Sequence, residues 1–216
     1  MALQNLKTLT GPAALRLLGD SADPELLTEQ AGTPARVLVH EGDLSVPGDL
    51  TLPVSKDAPR VLVVKGDLSV GGLFMDSGEP PTAVLVKGGL RADVLLCSGT
   101  LEVGGDLKAR IVLGGDSDNT CRVNGTLQAD LFYSDEHFFE AERARIGKAV
   151  GNSYRLEIER GREVDFVDGD DRDILGILVE EVLVVDRDSD GDIVDLRIDH
   201  GAFVRRVLAG EPVLRS

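Results

Sequence analysis

Between Leu101 and Tyr133 apolar residues occupy alternate positions, and the pattern is stated twice. Leu101, Val103, Leu107, Ala109, Ile111 and Leu113 are matched twenty residues later by Cys121, Val123, Leu127, Ala129, Leu131 and Tyr133. A period of two marks a β-strand, because successive side chains of a strand point to opposite faces. The same strand pattern returning at a near-constant interval predicts a coil of strands stacked on itself, since one turn cannot bury its apolar side alone.

The pattern extends upstream. An offset of 17 places residues 84–96 on the same frame, a further 22 brings in residues 64–70, and 24 more lays residues 36–46 on residues 60–70 with nine of eleven identical. That gives five turns. In each, a leucine recurs at 44, 68, 90, 107 or 127, which builds one continuous apolar ladder through the stack. Gly42, Gly66, Gly88, Gly105 and Gly125 precede these leucines and supply the backbone freedom of a corner. Asp43, Asp67, Asp106 and Thr126 can cap local amides there; a metal held by stacked aspartates does not fit, because glycine takes the same place in one turn.

Flanking segments read differently. Thr10-Gly11-Pro12 with a terminating Gly19, and Asp23-Pro24 with Gly32, predict two short helices that cover the first turn. After Tyr133 the frame is expected to break into a strand that runs to a loop, followed by a strand at residues 154–159 that turns at 160–162 and returns as a strand at 164–167. Asp171 or Asp173 opens a predicted helix with Leu175, Leu178 and Val182 on one stripe, and Asp199 or His200 opens another, closed by Gly210. The expected fold class is mainly β: a right-handed parallel β-helix (β-solenoid) of about five turns with short helical caps at the N- and C-terminal ends. Its expected parts are an N-terminal helical cap at 1–35, solenoid repeats at 36–135, and a C-terminal strand and helix extension with an acidic cap at 136–216, in one cooperative domain.

Composition narrows the function. The 216 residues are 42% hydrophobic but only 4% aromatic, which suits a core tiled by Val, Leu and Ile, and Gly numbers 25, as repeated corners require. No apolar run approaches the length of a membrane span, and no charged-then-apolar leader opens the chain, so a cytoplasmic protein without a membrane partner is expected. Cys97 and Cys121 are expected as free, buried or half-buried thiols. The net charge of −15 argues against a nucleic-acid partner, which would need a basic face. Residues 156–200 hold 16 Asp and Glu against 5 Arg, and such a local acidic surface steers basic partners toward it.

Few motifs carry chemistry. Residues 186–193, D-R-D-S-D-G-D-I, match an EF-hand loop at positions 1, 3, 5, 6 and 8, but position 12 is Arg197 where a bidentate Glu is required. The flanks read as strands of a hairpin, so an Asp-rich hairpin tip is the expectation and neither metal nor cofactor is expected. His40, His137 and His200 stand alone, with no nucleophile or ligand at catalytic spacing. Glycines six apart echo a hexapeptide acyltransferase coil, yet the hexads are interrupted and no base-like histidine sits between coils.

The runs G-D-L-S-V-P-G-D-L-T-L, G-D-L-S-V-G-G-L and G-T-L-E-V-G-G-D-L-K-A resemble the bactofilins, polymer-forming bacterial cytoskeletal proteins with a β-helical core. Together with S-D-E-H-F-F and the tail L-A-G-E-P-V-L-R, the chain over 36–215 also resembles a looser set of bacterial β-solenoid proteins, some of which look like immunity or accessory proteins of polymorphic toxin systems. Filament growth needs bare coil ends, and helices at the start with an acidic segment at the finish argue for the second resemblance. The expected function is therefore non-enzymatic: a protein-binding module, in the manner of an immunity protein that neutralises a toxin with a basic surface. The alternative is a bactofilin-like self-assembling scaffold, with homo-oligomerisation open. The candidate contact residues are Asp168, Asp170, Asp171, Asp173, Asp186, Asp188, Asp190 and Asp192.

Overall fold

The computed structural model describes residues 7–10, 36–52, 60–79, 82–115, 119–134, 136–151, 153–161, 164–170 and 172–215. The two helices expected before residue 33 lie outside the described residues. After β1 (Lys7–Thr10), four turns contribute three short strands each. These are β2 (Arg36–His40), β3 (Leu44–Val46) and β4 (Leu50–Thr51); β5 (Val61–Val64), β6 (Leu68–Val70) and β7 (Leu73–Met75); β8 (Ala83–Val86), β9 (Leu90–Arg91) and β10 (Val94–Cys97); β11 (Thr100–Val103), β12 (Leu107–Lys108) and β13 (Ile111–Gly114). The fifth turn is one strand, β14 (Thr120–Ser134), bent round the whole circuit.

Parallel pairing sorts the strands into three faces, so the coil has three sides. The first face stacks β2, β5, β8 and β11, the second β3, β6, β9 and β12, and the third β4, β7, β10 and β13, each running on into β14. The offsets of 24, 22, 17 and 20 are the observed registers, because Leu44 pairs with Leu68, Leu68 with Leu90, Leu90 with Leu107 and Leu107 with Leu127. All five leucines are buried, from 7% exposure at the first turn to none at the last. Antiparallel β1 closes the outer edge of β2, leaving fewer unpaired backbone groups on the first face.

Winding does not stop at Tyr133. β15 (Phe138–Gly151) follows β14 in parallel from Thr120 opposite Phe138 to Ser134 opposite Gly151, with a one-residue shift of register between Val123 and Thr126. The repeat was hidden because the leucine position is now Ala144 and four of the six residues of 140–145 are charged. β16 (Leu156–Ile158) and β17 (Phe166–Val167) then pair with β15 on the first and third faces. They start a further turn, and among the described residues they do not pair with each other as the hairpin expected there.

The corners work by close approach between turns. Asp43 Oδ1 accepts the Asp67 N–H at 2.9 Å, Asp67 Oδ1 the Gly89 N–H at 2.8 Å, and Asp106 Oδ1 the Thr126 N–H at 2.7 Å. Each carboxylate thus caps the turn above, not its own. The space it occupies is the space a Cβ would take on Gly66, Gly88 or Gly125. Of these repeat glycines only Gly42 has a positive φ, +82°, so room for the neighbour, more than freedom to bend, requires glycine at 66, 88 and 125.

Alternation fails on the third face. Val112 and Phe132 point into the coil, and Ile111, Leu113, Leu131 and Tyr133 point out of it, one step away from a strict period of two. The corner residues Arg110 and Asp130 shift the phase, and both surfaces of this face are apolar because both are covered. The cover is the C-terminal segment: two 3₁₀ turns, Arg172–Gly176 and Glu180–Val182, the hairpin β18 (Leu183–Arg187) and β19 (Ile193–Ile198), and the helix α1 (His200–Leu208). The first pair of turns stands where a single helix was expected, and the hairpin and α1 stand as expected. Ile174, Leu178, Val182, Leu196, Phe203, Val207 and Val213 bury against Val94, Leu96, Ile111, Leu113, Leu131, Tyr133 and Val150. Among the described residues no helix is long and apolar enough to cross a membrane.

Candidate functional site

The C-terminal segment carries the acidic residues outward from the third face. β17 ends at Val167, and the chain passes through Asp168 and Asp170 into the turn that holds Asp173; all three are exposed. Ile174 anchors this turn in the apolar interface, with no exposure. Beside it the hairpin tip presents Asp186, Asp188, Asp190 and Asp192, all exposed. Arg172 Nη2 donates to the Ile193 carbonyl at 3.3 Å, which ties the two groups into one acidic surface. Asp171 lies outside the described residues.

The tip is built as a turn. Asp188 Oδ1 accepts the N–H groups of Asp190 and Asp192 at 3.0 and 2.9 Å, Arg187 Nη1 donates to the Gly191 carbonyl at 3.0 Å, and Gly191 takes φ +88°. Strands flank it where an EF-hand has helices. Across the hairpin Asp186 stands directly opposite Asp195, a like-charge pair that costs stability, and the nearby Arg197 bridges to Asp195 at 3.5 Å.

A second polar group is buried where the third face turns to the first. Asp76 Oδ1 accepts the N–H groups of Ser98 and Gly99, the latter at 2.8 Å, and its Oδ2 accepts from the Cys97 thiol at 3.4 Å. Burial raises the Asp76 carboxyl to about 6, offset in part by these donors. Burial likewise pushes the Cys97 thiol up, with Cys121 beside it and the Asp76 charge adding to the effect. Thr82 Oγ1 accepts the Ser77 N–H at 2.9 Å and donates to the Ser77 carbonyl, and Asn119 Nδ2 donates to the Ser98 carbonyl at 2.9 Å. Asp76 is 4% exposed, Thr82 and both free thiols not at all, so the group ties three turns together behind a closed wall. The pattern D76-S-G-E reads as a surface turn; the partners that bury it lie more than twenty residues on.

Each histidine has a structural setting. His40 Nε2 donates to the Asp43 carbonyl at 2.9 Å, His137 is buried edge-on to Phe139 at 5.1 Å, and His200 opens α1 over the Tyr133 ring at 5.7 Å. No family model matches the chain, and no curated protein or solved structure is detectably similar to it.

Proposed function

We propose that this protein is a non-enzymatic docking module whose acidic surface, Asp168, Asp170 and Asp173 with Asp186, Asp188, Asp190 and Asp192, engages a basic surface of another protein, as an immunity protein would engage a toxin. One observation carries the reading. Exposed carboxylates are gathered on a body that is clamped to a rigid coil through buried apolar residues, and they are gathered even where Asp186 and Asp195 oppose each other at a cost in stability. Such a surface speeds the encounter with a cationic partner and makes it sensitive to salt. The buried Asp76 and Cys97 group, closed to solvent, acts in this reading as a fastener between turns.

The test is affinity isolation of the full chain from its native cells at low ionic strength. The reading expects a discrete protein partner, lost when Asp168, Asp170, Asp173, Asp186, Asp190 and Asp192 are changed to Asn. Recovery of no partner, or equal recovery by that variant, rejects it.

The bactofilin-like scaffold remains as a second reading because of the finish of the coil. The acidic segment lies along the flank, so it does not seal the end. Among the described residues nothing pairs with Arg143 to Ile146 of β15 on the open side, and Ala144, Ile146, Leu156 and Phe166 are only half-buried there. Light scattering that grows with protein concentration and withstands high salt would favour this reading; a fixed mass would exclude it.

A further inference from the structure

The outward columns of the coil carry charge in two ways. On the first face, Glu102, Arg122 and Glu140 lie opposite one another in successive turns, and Arg122 is bonded to Glu140. At the corner between the second and third faces, Arg110 makes a two-bond contact with Asp93 at 3.0 Å for each bond, and Asp130 adds a favourable field. Both columns alternate in sign. The outward column of the second face does not: it reads Ser45, Ser69, Arg91, Lys108, Gln128, Arg145, with Arg91 directly opposite Lys108.

Like charges directly opposite in neighbouring strands destabilise a sheet, and turns are about 4.8 Å apart. Among the described residues no ion pair joins Arg91, Lys108 or Arg145 to a carboxylate. The anions that border the face are engaged elsewhere. Asp43, Asp67 and Asp106 accept backbone amides of the next turn, and Asp93 holds Arg110. The result is an exposed, flat, single-signed stripe on a protein whose net charge is −15.

We propose that this second face is a docking surface for the acidic hairpin tip of a second copy of the chain. Charge complementarity chooses the occupant. The chain itself supplies a narrow, projecting row of carboxylates at Asp186, Asp190 and Asp192, and no ion pair joins these to the stripe within one molecule. Because the two surfaces differ, the contact is heterologous, and a growing row keeps an unused tip at one end and an unused stripe at the other. This assignment of the partner rests on the reading of the acidic surface as a docking site.

The experiment is sedimentation velocity on the full chain across a salt series. Association is expected to be strongest near about 0.15 M salt, where the Debye length of about 8 Å screens the net repulsion between copies but not the contact pairs, and to fall at both about 0.01 M and about 1 M. A stripe variant carries Arg91→Ser, Lys108→Ser and Arg145→Ser, the residue that the first two turns already place in this column. A tip variant carries Asp186→Asn, Asp190→Asn and Asp192→Asn and leaves Asp188 to hold the turn. Each variant alone is expected to associate at least about tenfold more weakly. An equimolar mixture of the two is expected to give a one-to-one heterodimer and nothing larger, since one intact stripe meets one intact tip. A wild-type chain that is monomeric at every salt, association that survives both variants, or a mixture that fails to pair overturns the proposal. If the wild-type chain is monomeric yet retains a native protein through its acidic surface, this assignment falls and the docking reading stands.

Discussion

Asp76 and Gly88 show how single residues join one turn to the next. The Asp76 carboxyl titrates near 6 in the folded chain, above the ordinary value of 3.8 that it regains on unfolding. The folded state therefore holds an extra proton between those values, and this contribution to stability is full below about pH 4 and lost as pH rises through 6. At about 1.4 kcal/mol for each unit, the loss amounts to about 3 kcal/mol. Asp76→Asn keeps an acceptor for the Ser98 and Gly99 amides and removes the titration. Denaturant melts at pH 4 and pH 7 should show wild type losing stability relative to this variant as pH rises; parallel profiles would refute the assignment. At the corners, Gly88→Ala drives a methyl into Asp67 Oδ1, whereas in the turn above Gly89 replaces the aspartate and a Cβ on Gly105 meets its nearest atom at 3.1 Å. Gly88→Ala is expected to cost about 2 kcal/mol or more and Gly105→Ala under about 1, read as shifts in the urea midpoint. The recurring leucines, glycines and aspartates were legible in the sequence because identical turns make identical demands. Asp76 was not, since its buried partners are set by stacking across 21 to 23 residues.

At the scale of elements, the third face decides where the C-terminal segment goes. Its outward side chains are apolar, and Tyr133 meets the Phe203 ring of α1 at 5.2 Å. Phe203 is fully buried, so Phe203→Ala removes the central anchor of α1 at a cost of about 3–5 kcal/mol to the attachment of the segment. Hydrogen exchange should then accelerate in α1, β18 and β19 while β6, β9 and β12 keep their protection; uniform acceleration throughout the coil would contradict a separately anchored flank. The hairpin and α1 were readable from local grammar: an Asp-Gly turn between alternating strands, and Asp199 capping the Ala202 N–H at 2.8 Å with Gly210 beyond the helix. The 3₁₀ turns were not, because Leu175, Leu178 and Val182 satisfy a helical stripe while Leu178 is drawn into a bridge with Leu214. β15 escaped notice for the opposite reason. Its charged side chains and a one-residue shift of register between Val123 and Thr126 hide a pairing that the backbone carries from Thr120 to Ser134.

For the whole molecule, three covered or polar sides surround one apolar column, and the acidic residues are displaced to a single flank. The candidate aspartates were found from charge density alone; that the 168–173 group and the hairpin tip share one surface follows from the Arg172 contact with Ile193, which no local pattern announces. Salt dependence is the property that this arrangement imposes on recognition. The most direct measurement is the association rate constant of the full chain with its purified native partner, taken for wild type and for the variant neutralised at Asp168, Asp170, Asp173, Asp186, Asp190 and Asp192 between low and high NaCl. The account predicts a wild-type rate that falls at least about tenfold with added salt and a variant that starts slow and stays nearly flat. Equal rates with equal salt slopes in the two proteins would contradict it.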